Sequence, residues 1–251
     1  MKKIFLPIFL LAFLFVCSGG TKKTSLESEN LNGKVKTVKE TTNDVGGKFD
    51  EMTKGSMSNI STTSVYDEKG NLIEVSDHSS DGGLRWKAIY KYDEKANLIE
   101  MSEYNSNGKR TRKWLYKYDE KDNLIEASGY DSGGSLVYKQ AFKYDNKGNR
   151  IEESWYSDGS LGSKQTYKYD NKGNTIEDSW YNSDGSLYYK RIYKYDNKEN
   201  RIEESWYNSD GNLGHRYTYK YEFDEKNNWI KKIEYDDDVA TVITIREIEY
   251  Y

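Results

Sequence analysis

Apolar and polar residues alternate with a period of two over most of the chain, in pairs of short runs. In the clearest copy Leu187, Tyr189, Arg191, Tyr193 and Tyr195 share one side, with Lys190 and Lys194 on the other. Ile202, Glu204 and Trp206 then alternate with Arg201, Glu203, Ser205 and Tyr207. Side chains two apart lie on one face of a strand, so each pair of runs reads as a β-hairpin. A D-x-K-x-N turn such as Asp196 to Asn200 joins the two runs, and an S-D-G turn such as Ser183 to Gly185 leads to the next pair. A YD dipeptide marks the unit at Tyr66, Tyr92, Tyr118, Tyr144, Tyr169 and Tyr195, spaced by 26 residues except for one interval of 25. A modified last copy surrounds Tyr221 and Phe223. A fixed period of this size means stacked supersecondary units.

The pattern predicts an all-β protein in which tandem β-hairpin repeats of about 26 residues form one extended, twisted or curled antiparallel sheet over 60–235. The one-residue deletion falls at Ser157-Asp158-Gly159, where it supports a turn, since inside a strand it would turn every later side chain to the other face. Pairing Tyr193 with Ile202 predicts aromatic rings and isoleucines on one face. Glu74, Glu100, Glu126, Glu152, Glu177 and Glu203 then form a stripe against the lysines. In the D-x-K-x-N turns the residue before the asparagine varies (Gly70, Ala96, Asp122, Glu199), which makes the asparagine the expected left-handed position. Residues 31–59 read as an entry strand and loop, and 236–251 as a capping strand that closes the exposed sheet edge.

Composition adds an address. Lys2 and Lys3 precede an apolar run from Ile4 to Val16, so 1–16 reads as a signal peptide, too short for a membrane span. The only cysteine, Cys17, follows directly, and Leu14-Phe15-Val16-Cys17 resembles a bacterial lipobox, which implies lipidation at Cys17. Residues 17–30 then read as a lipid-anchored tether. The expected location is the bacterial cell envelope, as an outer-membrane lipoprotein, with the lipid anchor as the membrane contact. Hydrophobic residues make up 35% and charged residues 32%, yet 24 tyrosines argue against disorder. The net charge of −4, without a basic cluster, points away from nucleic acid.

With Y-x-Y-D-x-K-G-N and the following D-G turn in view, the array resembles the RHS or YD-repeat family over about residues 60 to 235. The end, NNWIKK followed by TIREIEYY, looks like the tail of repeat lipoproteins of Bacteroidetes-type bacteria. The resemblance implies a spiral β-sheet and, for some members, carbohydrate binding.

For catalysis the inventory is thin. His78 and His215 lie more than five repeats apart, the glutamate stripe is matched by lysines, and no nucleophile elbow, phosphate loop or zinc spacing occurs. No enzyme activity, cofactor or metal is expected. The most suggestive feature is aromatic: Trp155, Trp180 and Trp206 hold one repeat position in three consecutive copies. Two strands per repeat predict a row of indoles spaced by about 9.6 Å. Such a row suits stacking on sugars or anchoring a partner protein, or it packs on Ile151, Ile176 and Ile202 to close the apolar face. The expectation is a non-enzymatic binding surface for glycan or protein, with a structural spacer as the alternative.

Overall fold

The computed structural model describes residues 24–45 and 60–251. The expected signal peptide, Cys17, the first part of the expected tether and residues 46–59 of the expected entry loop lie outside the described residues. A short helix, α1 (Ser25–Ser28), precedes sixteen strands. The first are β1 (Val35–Asp44), β2 (Ile60–Tyr66), β3 (Leu72–His78), β4 (Leu84–Tyr92), β5 (Leu98–Asn105) and β6 (Arg110–Tyr118). There follow β7 (Leu124–Asp131), β8 (Leu136–Tyr144), β9 (Arg150–Ser157), β10 (Ser160–Tyr169) and β11 (Thr175–Asn182). The last are β12 (Leu187–Tyr195), β13 (Arg201–Asn208), β14 (Leu213–Phe223), β15 (Trp229–Asp236) and β16 (Val239–Tyr250).

Each strand pairs antiparallel with its neighbours in sequence, and β1 pairs with β16 from Val35 opposite Tyr250 to Asp44 opposite Val242. The sheet is therefore a closed barrel, which corrects the expectation of one extended open sheet. The physical reason lies in the two ends of the array. An open sheet of sixteen strands leaves two long edges of unpaired N–H and C=O groups, and accumulated twist brings those edges together. The entry strand and the aliphatic last strand satisfy each other.

The repeat consensus is explained at the turns. In Asp67 to Asn71 the Asp67 carboxylate accepts the backbone N–H groups of Lys69 and Asn71, both at 2.9 Å, and the Asn71 side-chain amide at 2.9 Å. The bonds recur at Asp93, Asp119, Asp145, Asp170 and Asp196. The left-handed residue is the one before the asparagine in every copy, with φ of +85° at Gly70, +59° at Ala96, +61° at Asp122 and +66° at Glu199. That corrects the expectation for the asparagine, whose side chain is committed to the aspartate.

A bulge follows each of these turns, so that Tyr195 pairs with Arg201 and Lys194 with Glu203. Tyr193 lies opposite Glu204, not Ile202. The bulge places Ile202 on the outer wall, 38% exposed, and Ile73, Ile99, Ile125, Ile151 and Ile176 behave alike. The aromatic and isoleucine faces are thus opposite faces. Glu203 does meet Lys194, at 2.9 Å. The second YD-motif tyrosine points into the lumen and donates to a carbonyl of the preceding hairpin: Tyr92 to Leu72 at 2.8 Å, Tyr118 to Leu98 at 2.9 Å, Tyr169 to Arg150 at 2.6 Å. Tyr195 to Thr175 and Tyr221 to Arg201 continue the series. These hydroxyls stitch hairpin to hairpin independently of the ladder.

From Thr24 onward the stretch expected to be a tether is docked on the D-x-K-x-N end of the barrel. Thr24 and Glu27 form a capping box on α1. The Leu26 N–H donates to the Gly70 carbonyl at 3.2 Å, Tyr66 donates to Glu29 at 2.7 Å, and Asn32 and Asn228 exchange bonds of 2.6 and 2.9 Å. Leu26 and Leu31 are buried with Val35, Tyr66 and Leu72 in the main apolar cluster.

Candidate functional site

The two sides of the lumen differ in the chemistry of their inward side chains. On β3, β5 and β7 the inward position four residues past the turn is Val75, Met101 and Ala127; on β9, β11 and β13 it is Glu153, Asp178 and Glu204. Burying carboxylates demands partners. Asp178, 3% exposed, accepts from Arg191 through Nε at 3.0 Å and Nη2 at 2.6 Å, from Gln165 at 3.0 Å and from Tyr193 at 2.8 Å. Glu204 meets Arg201 at 2.8 Å, Arg191 at 3.6 Å and the Tyr219 hydroxyl at 3.3 Å. Glu153 meets Arg150 at 3.3 Å and shares the Tyr167 hydroxyl with Gln165. The network runs unbroken from β9 to β14.

Its electrostatics follow from burial and pairing. Burial pushes the Glu153 carboxyl up, against the pull of Arg150 and the Tyr167 hydroxyl. Burial also opposes the charge of Arg191, but its bonds to Asp178 outweigh that cost and hold the guanidinium firmly protonated. The arrangement is a cross-brace.

Towards the S-D-G end, directly above the network, lie the three predicted tryptophans. They do not form a row at the two-strand spacing. Trp155 and Trp180 stack with centroids 4.7 Å apart, and Tyr189 sits between Trp180 and Trp206 at 5.7 and 5.0 Å. The short side chain of Ser163, on the strand between Trp155 and Trp180, lets those two indoles close on each other. Arg191 lies 5.0 Å from the centre of the Trp206 ring, which joins this aromatic collar to the charge network. Nor do the indoles pack on Ile151, Ile176 and Ile202, which face outward. The indole N–H groups of Trp180 and Trp206 are enclosed, with no hydrogen-bond partner among the described residues. His215 stacks on Tyr217 at the same mouth, 3.7 Å from Asp236, and His78 lies on the outer side of β3 at its S-D-G end.

Around the collar the S-D-G rim exposes Leu136, Leu161, Tyr188, Leu213 and Val239, of which Tyr188 is 62% exposed. Sequence reasoning singled out the tryptophans but missed both the rim and the charge network. The network was visible as a joint change of two repeat positions, from L-I-E-V, L-I-E-M and L-I-E-A to R-I-E-E, T-I-E-D and R-I-E-E.

No family model matches the chain, and no curated protein matches it by sequence. By structure it is similar to a porin-like protein from Bacteroides uniformis ATCC 8492, with a TM-score of 0.59, 10% identity, and coverage of 87% of this chain and 98% of that one. A porin-like protein from Bacteroides vulgatus ATCC 8482 gives a TM-score of 0.51 at 10% identity, over 82% and 97% of the two chains. The TcdB2-TccC3 complex without its hypervariable C-terminal region aligns at a TM-score of 0.29 over 14% of that chain, too low to carry an argument. The likeness to the two Bacteroides proteins concerns fold alone: this chain has a porin-like, all-β closed barrel.

Proposed function

We propose that the protein is a non-enzymatic binding module of the cell envelope, carried on a lipid at Cys17, whose working face is the S-D-G end. The observation that carries this reading is the asymmetry of the two ends. Residues 24–34 lie across the D-x-K-x-N end, whereas the S-D-G end presents exposed apolar side chains around an aromatic mouth.

The outer wall supports a barrel standing in water. A barrel that crosses a bilayer carries an apolar outer band about 25 Å tall. Here that height holds ion pairs such as Lys91–Glu100 at 3.0 Å, Lys117–Glu126 at 2.8 Å, Lys143–Glu152 at 2.7 Å and Lys168–Glu177 at 2.8 Å. Mid-height lumen groups such as Glu153 and Asp178 are 1% and 3% exposed, which fits a packed interior better than a channel.

The partner class the geometry favours is a protein surface. Trp155 and Trp180 stack on each other, Tyr189 fills the gap to Trp206 and Arg191 lies over Trp206, so the collar offers few free ring faces, while projecting leucines suit an apolar patch on a partner. A second reading, the structural spacer, is favoured by the dense pairing of lumen charges. Immobilised barrel exposed to purified envelope glycans and envelope proteins decides between them. A partner captured by the native protein, lost with Leu161→Asp/Leu213→Asp and kept with Lys121→Glu on the other rim supports the binding face. Blank results on both panels leave the spacer.

A further inference from the structure

The shortened hairpin breaks the repeat in more than length. Between β9 and β10 the turn has only Asp158 and Gly159, with φ of +50° and +78°. In each of the longer S-D-G turns at least one acidic or amide side chain is tied to the turn itself. In the last of them Asn208 does so, accepting from the Asp210 and Asn212 N–H groups, and the Asp210 carboxylate has no bond among the described residues. Asp81 accepts from Ser79 and the Gly83 N–H, Asn105 from Asn107 and Lys109, Asp131 from Gly133 and Ser135, and Asp184 from Ser186. The Asp158 carboxylate has no hydrogen bond or ion pair among the described residues.

Beside this carboxylate opens a pocket of about 400 Å³, lined among others by Leu136, Val137, Lys139, Ala141, Tyr156 and Asp158. Its floor is Ala141, at a position held elsewhere by Ile89, Leu115, Thr166, Ile192 and Thr218. In the next two copies a lysine covers the tyrosine equivalent to Tyr156: Lys164 stands 5.3 Å from the centre of Tyr181 and Lys190 stands 5.2 Å from that of Tyr207. The corresponding Lys139 is drawn away to Glu126, at 2.6 Å. No cation stands over Tyr156 among the described residues. Tyr130 lacks one too, because Lys113 binds Glu100 at 2.8 Å, but there Leu115 takes the place of Ala141 and the turn carboxylate of Asp131 is engaged. The other cation facing Tyr156, Lys143, is held on Glu152 at 2.7 Å.

We propose that this pocket binds an organic cation, an ammonium or guanidinium group on a short alkyl stem. The charge lies between the Asp158 carboxylate and the Tyr156 ring, and the stem lies against Leu136, Val137 and Ala141. This rests on reading the S-D-G end as the binding end, and it supplies the chemistry of one subsite there.

Titration with n-pentylamine, N-acetyl-lysine methylamide and neutral pentanol, followed by calorimetry and ligand-observed NMR, tests it. Both amines bind and pentanol does not. Tighter binding of the lysine derivative assigns the cation to a protein side chain, and tighter binding of pentylamine assigns it to a free amine. Asp158→Asn, which keeps the turn, weakens the amines roughly five- to tenfold. Ala141→Leu fills the pocket with the residue that stands at 115 and removes binding. Glu126→Gln, a change outside the pocket lining, also weakens it, because Lys139 is released to take the seat over Tyr156. Pentanol binding as well as pentylamine, or unchanged amine affinity in Ala141→Leu, overturns the proposal. If amines fail while capture dependent on Leu161 and Leu213 persists, only the pocket assignment falls; the reverse result removes the rim reading instead.

Discussion

On β3, β5 and β7 the first inward residue is Leu72, Leu98 and Leu124, and the next is Val75, Met101 and Ala127. On β9, β11 and β13 the same two positions hold Arg150, Thr175 and Arg201, then Glu153, Asp178 and Glu204. Apart from the shortened turn between β9 and β10, both halves share one backbone, one pair of turns, the same tyrosine-to-carbonyl bonds and the same outer ladder. The repeat geometry is therefore set by the turns and the outer wall, and the lumen is free to vary if each half is matched within itself. A leucine half closes by excluding water, and an arginine half closes only when every charge finds its partner. The charged half is also the one that carries the tryptophan collar.

The largest effect separates the halves directly. Arg191→Ala leaves the buried Asp178 without its guanidinium beside a void, removes the weaker of the two guanidinium contacts of Glu204, and costs about 3–5 kcal/mol in urea unfolding. Leu98→Ala, 2% exposed in the other half, costs about 2–4 kcal/mol through lost burial and a cavity. The double variant Asp178→Asn/Arg191→Gln recovers part of the first loss and has no counterpart for the second. A single Arg191→Ala cost below that of Leu98→Ala would break the comparison.

Inner and outer carboxylates sharpen it through pH. Bonds from Lys117 and Lys139 hold Glu126 at about 2, below its ordinary value, so its contribution is complete above about pH 4.3 and is lost as pH falls towards 2. Glu153 is pushed up by burial, so its contribution is complete below about pH 4.3 and is lost as pH rises through its folded value. Urea unfolding from about pH 2.5 to 7.5 is expected to show opposite trends. Glu126→Gln is destabilised at neutral pH, by no more than about 1 kcal/mol given the exposed lysines, and the gap closes in acid. Glu153→Gln improves relative to the native protein as pH rises. Parallel trends would mean that the two walls do not differ electrostatically.

Much of this architecture was legible beforehand. The hairpin boundaries, the Lys/Glu ladder and the turn at the deletion follow from period two and from the effect of a one-residue slip. Closure was not legible, because it depends on twist summed over sixteen strands and on Val35 to Asp44 finding Val242 to Tyr250. The isoleucines were misplaced because a bulge adds one residue to the count between Tyr195 and Glu203, and a bulge leaves no mark in a pattern of two. Glu153, Asp178 and Glu204 already fell on the aromatic face by period two, but their partners, Arg150 and Arg201 across the bulge and Arg191 on the neighbouring strand, could not be read from that count. The tryptophans were found by recurrence, but their stacking depended on Ser163 and Tyr189 on the intervening strands.

The smallest expected effect concerns what the two halves share. The fourth turn position is left-handed in both, yet only some copies place glycine there. Glu199, at φ +66°, and Ala96, at φ +59°, hold a conformation that crowds their Cβ against the backbone. Glycine removes that crowding at the cost of a more flexible unfolded chain, which leaves a gain of about 0.5–1 kcal/mol for each replacement. Glu199→Gly on the charged side and Ala96→Gly on the apolar side are expected to raise stability by equal amounts, read as equal shifts of the urea midpoint. Equality is the informative result, because it shows that the turn is energetically separate from the lumen behind it. A gain confined to Ala96→Gly would instead tie Glu199 to Lys172, 4.0 Å away across the rim, and make the turns of the charged half part of its electrostatics.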